Sequence, residues 1–161
     1  MPKVTLILHN IGSTCNVGAI FRTADGFGVE RIICSGYTPY PAIPGDSRLP
    51  HMSAKTTTRI HKTALGAETM VPFEYVETLE AWLGQNDLPV YALEQSPRSV
   101  SIRDFLPPER FALLLGEEVA GIAPDLLKNC DKILEIPMTG QKESFNVSVA
   151  TAIALYALTS T

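Results

Sequence analysis

Residues 136–158 read IPMTGQKESFNVSVATAIALYAL. The opening part is polar and carries Pro137 and Gly140, which marks a loop, whereas Phe145–Leu158 is apolar nearly all round and predicts a helix. A helix without a polar face is buried in a core or at a subunit interface. Ser144 and Asn146 stand at its entrance. For Ser144 an ordinary N-cap is the plain structural alternative; Asn146 falls in the first turn, where Asn is a mediocre helix former, so that position points beyond local structure.

Upstream of this segment lies the apolar run Ile133–Ile136, one of five short runs that read as strands, the others being Val4–His9, Arg31–Cys34, Val90–Glu94 and Phe111–Leu115. They are rich in Val, Ile and Leu without clean alternation, as in strands covered on both faces. Helical spacing falls at Val17–Phe27, Thr78–Leu83 and Pro124–Asn129 between them. Strands alternating with helices predict an α/β fold with a mostly parallel sheet and helices on both faces. Several strands run directly into polar or glycine residues: His9-Asn10, Gly116-Glu117-Glu118 and Pro137-Met138-Thr139-Gly140. In open α/β sheets ligands bind beyond the carboxyl ends of strands, which locates a site there.

The 161 residues suit one domain, expected to span 1–161, and the net charge of −4 argues against a generic polyanion binder. The charge is unevenly spread. Residues 1–62 hold seven Lys and Arg against three Asp and Glu, a net +4; residues 63–161 hold six against fourteen, a net −8. No apolar run approaches the roughly 20 residues of a membrane span, and no leader pattern opens the chain, so a cytoplasmic protein is expected. Cys15, Cys34 and Cys130 are odd in number and widely spaced, and the three histidines lack ligand spacing, so neither disulfides nor a metal site is expected. Ser35–Lys62, crowded with Pro and Gly at its start, reads as a long loop.

Three segments carry chemistry. In residues 16–29, NVGAIFRTADGFGV, the apolar positions form one helical face and Arg22 projects from another, with Gly18 and Gly26 one turn away leaving room for a large group to approach. An Arg22–Asp25 pair with Asn16 as cap is the plain structural alternative. Residues 111–122, FALLLGEEVAGI, end a strand in two adjacent carboxylates, but neighbours on a turn point apart, which disfavours a paired-acid mechanism. Residues 136–156 form the third. Neither GxGxxG nor GxxxxGK[ST] occurs.

In this order and spacing, the three segments resemble the motifs of the SpoU/TrmH family of RNA ribose 2′-O-methyltransferases, in the SPOUT superfamily, and the YALEQS stretch at 91–96 extends the similarity. The resemblance implies an α/β fold with a carboxyl-terminal trefoil knot, S-adenosylmethionine bound in that knot, and a homodimer whose active site is shared between subunits. It carries Asn16 and Arg22 over from the first motif, Glu118 from the second, and Ser144 and Asn146 from the third. The cofactor is then expected against Leu93, Gly116, Ile136, Met138 and Phe145. Three departures bear on substrate preference: Glu117 in place of Asn, Ser or Gln, Phe145 in place of Leu, and Ser13-Thr14-Cys15 in place of an Asp-Pro lead-in.

The implied reaction moves the sulfonium methyl group to a ribose 2′-hydroxyl of structured RNA, with tRNA favoured over rRNA. A guanidinium, with a pKa above about 12, is a poor general base, so Arg22 is expected to clamp the neighbouring phosphate and stabilise the developing alkoxide. Asn16, Ser144 and Asn146 are expected to orient Arg22, the ribose and the cofactor loop, with Glu118 as a brace. Arg48, Lys55, Arg59 and Lys62, in the basic third of the chain, are expected to contact RNA phosphates. The rival readings are an inactive RNA-binding module of the same fold, a base methyltransferase, and a small-molecule α/β enzyme using Glu117 and Glu118.

Overall fold

The computed structural model describes residues 1–160. Seven parallel strands form one sheet in the order β3-β2-β1-β6-β4-β7-β5. In chain order these are β1 (Lys3–His9), β2 (Arg31–Ser35), β3 (Phe73–Val76), β4 (Val90–Leu93), β5 (Val100–Ser101), β6 (Arg110–Leu115) and β7 (Lys132–Glu135). The helices are α1 (Thr14–Gly26), α2 (Pro50–Ala64), α3 (Leu79–Gln85), α4 (Pro124–Leu127) and α5 (Val147–Thr159).

The uninterrupted apolar runs sit at the sheet centre, where both faces of β1 and β6 are covered. Leu6, Leu8, Phe111, Leu113 and Leu115 pack with Val17, Ile20 and Phe21 of α1, Ile60 of α2, and Ala154, Leu155 and Leu158 of α5. Ile7, Ala112 and Leu114 face the other way, onto Leu79 of α3 and Leu126 of α4. At roughly 25 cal/mol per Å² of buried apolar surface, this two-sided burial is the main stabilising term for the sheet. The two edge strands β3 and β5 escape the sequence pattern. β3 is only partly buried, and β5 is two residues long.

The largest difference from the sequence expectation is α2. Half of the supposed Ser35–Lys62 loop is a helix of 15 residues. Its PHMSAKTTTRIHKTA sequence has weak propensity and few apolar residues; Pro50 at the first turn starts it, and a left-handed Leu65 with Gly66 ends it. Tertiary packing holds it. Gly18 of α1 is buried against it, and a Cβ there would collide with the Ile60 carbonyl and Thr63 Oγ1. The absent side chain at 18 therefore admits α2, and does not open an approach to Arg22 as the sequence suggested.

Both site helices also begin elsewhere than expected. Ser13 caps α1, its Oγ accepting from the Asn16 amide at 3.2 Å, which leaves the Asn16 side chain free. Asn146, not Ser144, caps α5, and Asn146 lies outside the first turn. Within a single copy of the chain α5 is covered on one side: Thr151, Ala154, Leu155 and Leu158 face the core, while Val149 and Tyr156 are exposed.

Gly18→Ala should drive α1 and α2 apart and lower stability by about 1–3 kcal/mol, read as a lower urea midpoint without a change of fold by circular dichroism. An unchanged midpoint would show that the close approach of the two helices is not what holds α2.

Candidate active site

A cleft of about 460 Å³ opens at the carboxyl edge of the sheet. It is lined by the ends of β4, β6 and β7 together with the amino-terminal turns of α1 and α5. Among its lining residues are Asn16, Leu93, Gly116, Glu118, Ile136, Ser144, Phe145 and Asn146, all singled out from sequence. Met138 stands beside it, its sulfur 3.4 Å from Gln95 Nε2. Arg22 is exposed on α1 and is not part of the lining, and among the described residues it forms no ion pair with Asp25.

A directed hydrogen-bond chain joins the three sequence segments. The Glu118 carboxylate accepts from the Gly12 and Ser13 amides, at 3.2 and 3.3 Å, and from Asn16 Nδ2 at 3.1 Å. An ionised carboxylate can only accept, so Asn16 must turn its NH2 group toward it. That leaves Asn16 Oδ1 to accept from Asn146 Nδ2 at 3.2 Å. Asn146 Oδ1 in turn accepts from the Ser148 amide at 2.9 Å and the Ser148 hydroxyl at 2.6 Å. The charge on Glu118 thereby sets the orientation of both carboxamides. Burial acts to raise the Glu118 pKa, but the Asn16 side chain and the backbone N–H donors of Glu118 itself, Gly12 and Ser13 together outweigh it and hold the group below its usual range.

The adjacent Glu117 does different work. Its carboxylate accepts from the Val119 and Ala120 amides, at 3.2 and 3.0 Å, and shapes the turn that Gly121 closes with φ +70°. The two carboxylates have separate partners, which removes the geometric basis for a paired-acid enzyme.

Sequence reasoning passed over Glu94 and Gln95, although both follow the carboxyl end of β4. Glu94 accepts from Ile122 N at 3.0 Å and lies so close to Gly121 that a side chain there would meet it. Gln95 Nε2 donates to the Glu143 carbonyl at 2.7 Å, clasping the loop before α5 to the end of β4. The cleft wall thus joins apolar Leu93, Leu115, Ile136, Phe145 and Val147 with five acidic residues (Glu94, Glu117, Glu118, Glu135 and Glu143), and among the described residues no Lys or Arg lines it. Such a wall favours a ligand with a flat apolar part and a positive charge.

Of the four expected phosphate contacts, Lys55, Arg59 and Lys62 are exposed at i, i+4 and i+7 on α2 and form one stripe. Arg48 is committed elsewhere. Its guanidinium bonds Asp46 and the Tyr40 and Pro41 carbonyls and lies 3.6 Å over the Tyr40 ring. Those bonds hold the Asp46 carboxyl well below the usual range. Arg48 therefore organises the turn before α2, since few of its donors are left for a phosphate.

An all-parallel sheet with a mixed apolar and acidic cleft at its carboxyl edge defines an α/β ligand-binding fold. Residues 3–156 match the SpoU rRNA Methylase family, and the chain belongs to that family. It is 31% identical over 158 residues to the 23S rRNA (guanosine-2'-O-)-methyltransferase RlmB of Coxiella burnetii, covering 96% of this chain and 57% of that protein. It is 30% identical over 158 residues to the tRNA (guanosine(18)-2'-O)-methyltransferase of Escherichia coli K12, covering 96% of this chain and 62% of that one. The chain therefore spans little more than half the length of these curated relatives. In fold it is similar to an AdoMet-bound rRNA methyltransferase from Sinorhizobium meliloti, with a TM-score of 0.78 and 24% identity over 96% of this chain and 55% of the other. Among the described residues, no helix is long and apolar enough to cross a membrane.

Glu118→Gln keeps the shape but removes the charge that orders the site, and should cost about 1 kcal/mol at neutral pH. Because the folded pKa of Glu118 lies below its unfolded value of about 4.5, the stabilisation is complete above that value and is lost as pH falls through the folded pKa. Urea unfolding of both proteins should show a gap at pH 7 that shrinks as pH falls below the ordinary carboxylate range and through the lowered folded pKa of Glu118; a gap independent of pH would overturn the assignment.

Proposed function

We propose that the protein transfers the sulfonium methyl group of S-adenosylmethionine to a ribose 2′-hydroxyl of structured RNA, losing the hydroxyl proton and releasing S-adenosylhomocysteine. The observation that carries this reading is the Glu118–Asn16–Asn146 chain, which draws the three family motifs into one cleft. Membership of the SpoU family and the names of its curated relatives support the reaction class.

The cleft fits the cofactor's chemistry. Leu93, Ile136 and Phe145 offer apolar surface, and Gly116, which has no room for a Cβ between Ile122 and Gly121, leaves backbone accessible. The acidic wall suits a sulfonium and an ammonium group. When bound, the cofactor supplies an already electrophilic methyl group, so the chain's task is alignment and charge stabilisation. Gln95 and Met138 hold the loop that closes the cleft, and Asn16, Ser144 and Asn146 orient the acceptor ribose.

Arg22 is assigned to the RNA side of the reaction. It lies outside the cleft of its own chain, on the exposed face of α1, and α5 presents uncovered Val149 and Tyr156; both support a homodimer in which Arg22 reaches the partner's cleft. Its two-pronged guanidinium would clamp a phosphate and steady the developing alkoxide. The trefoil threading of residues 136–160 belongs to the same reading. The Lys55, Arg59 and Lys62 stripe is the proposed track for the RNA backbone.

Calorimetry with S-adenosylmethionine should show stoichiometric binding; none to folded protein would remove methyl transfer altogether. Arg22→Lys should lower the single-turnover methylation rate by roughly ten- to a hundredfold, because the ammonium cannot bridge two oxygens, and a near-normal rate would sink the clamp. Replacing Lys55, Arg59 and Lys62 by Gln should flatten the dependence of log affinity on log salt by about 2–3. Assays with separate pools of unmodified tRNA transcripts and rRNA fragments, read by nucleoside mass spectrometry, distinguish the two substrate classes.

A further inference from the structure

Tyr37 follows β2 and is 60% exposed, yet its backbone is fixed by hydrogen bonds on and around it. Two left-handed residues prepare its position: Asn10 with φ +57° at the end of β1 and Gly36 with φ +63°. Asn10 Oδ1 accepts from the Tyr37 amide at 3.1 Å and occupies the space where a Gly36 side chain would stand. Asn10 Nδ2 is 3.3 Å from His9 Nε2, and His9 Nδ1 is 2.8 Å from Ser35 Oγ, so the carboxamide is held from both ends. The Gly36 carbonyl accepts from the Tyr75 hydroxyl at 2.9 Å. On the other flank Thr38 is buried, its Oγ1 donating to the Leu8 carbonyl at 2.8 Å and accepting from Ile11 N at 3.0 Å.

The ring lies at the lip of the site. Tyr37 Cε2 is 3.6 Å from where a Gly12 Cβ would stand, and Gly12 is the residue whose amide holds Glu118. Tyr37 is not part of the cleft wall assigned to the cofactor. An exposed aromatic ring on a rigid backbone, next to a reaction site but outside its cofactor cleft, matches the chemistry of a stacking platform: every nucleobase offers a π-face, and little side-chain entropy is lost on contact.

We propose that Tyr37 stacks against a base of the bound RNA and holds that nucleotide at the mouth of the cleft beside Glu118. The proposal rests on the RNA methyl-transfer reading and adds to it the residue that grips the base. Lys55, Arg59 and Lys62 act on phosphates and carry the salt dependence; Tyr37 contributes a term insensitive to salt.

The test uses wild type, Tyr37→Leu and Tyr37→Phe with the tRNA and rRNA transcript pools. Tyr37→Leu should raise the RNA KM roughly tenfold or more, and Tyr37→Phe should restore most of the loss. The S-adenosylmethionine affinity and the urea midpoint should be the same in all three. An unchanged RNA KM in Tyr37→Leu overturns the stacking role, as does a loss in Tyr37→Phe as large as in Tyr37→Leu. A fall in cofactor affinity or in the urea midpoint that accounts for the KM change overturns it too, by giving Tyr37 a structural role. If wild type methylates no transcript, the methyltransferase reading falls and the stacking role falls with it; if wild type is active and Tyr37→Leu matches it, only the stacking role falls.

Discussion

The single negative charge on Glu118 governs the site. A carboxylate at the amino-terminal end of α1 meets unpaired backbone amides and the positive end of the helix dipole, so it is held there in ionised form. Since it can only accept, every amide downstream must take one orientation: Asn16 donates to it, Asn146 donates to Asn16, and the first turn of α5 donates to Asn146. One ion thereby specifies the mutual placement of segments more than one hundred residues apart in sequence.

The same requirement explains the division of charge between the two parts of the chain. The five carboxylates of the cleft wall all come from the net −8 portion, and the Lys55, Arg59 and Lys62 stripe comes from the net +4 portion. A wall of acids attracts a cationic small ligand and repels a phosphate backbone, so a molecule that uses both ligands has to keep the two fields apart. The overall acidity therefore says little about nucleic acid.

Much of the fold was legible in advance because strands buried on both faces need unbroken apolar runs, and the five longest or most central strands have them. α2 was not legible, since a helix carrying PHMSAKTTTRIHKTA owes its existence to Gly18 and to the burial of Ile60 and Ala64 on α1. Asn16, Glu118, Ser144 and Asn146, which line the cleft, were legible as polar positions at the ends of strands and the starts of helices. Their local roles were less so: Asn146 takes the cap that the plain structural reading offered to Ser144, Ser13 takes the one it offered to Asn16, and Arg48 is a partner of Asp46 and Tyr40. Local propensity names the candidates for a cap, but long-range partners decide which one takes the position.

From its sequence alone this protein declares a parallel α/β sheet, a candidate site at the carboxyl edge and the three segments that meet there, because periodicity and residue type depend only on neighbours along the chain. The tertiary structure decided the rest. It settled that Gly18 is a contact between helices, that Glu117 and Glu118 face different partners, that Arg22 stands outside its own cleft, and that Tyr37 is held at the lip. Each of these depends on where a group's hydrogen-bond acceptors and van der Waals neighbours lie in space, and those come from strands and helices that the chain brings together only on folding.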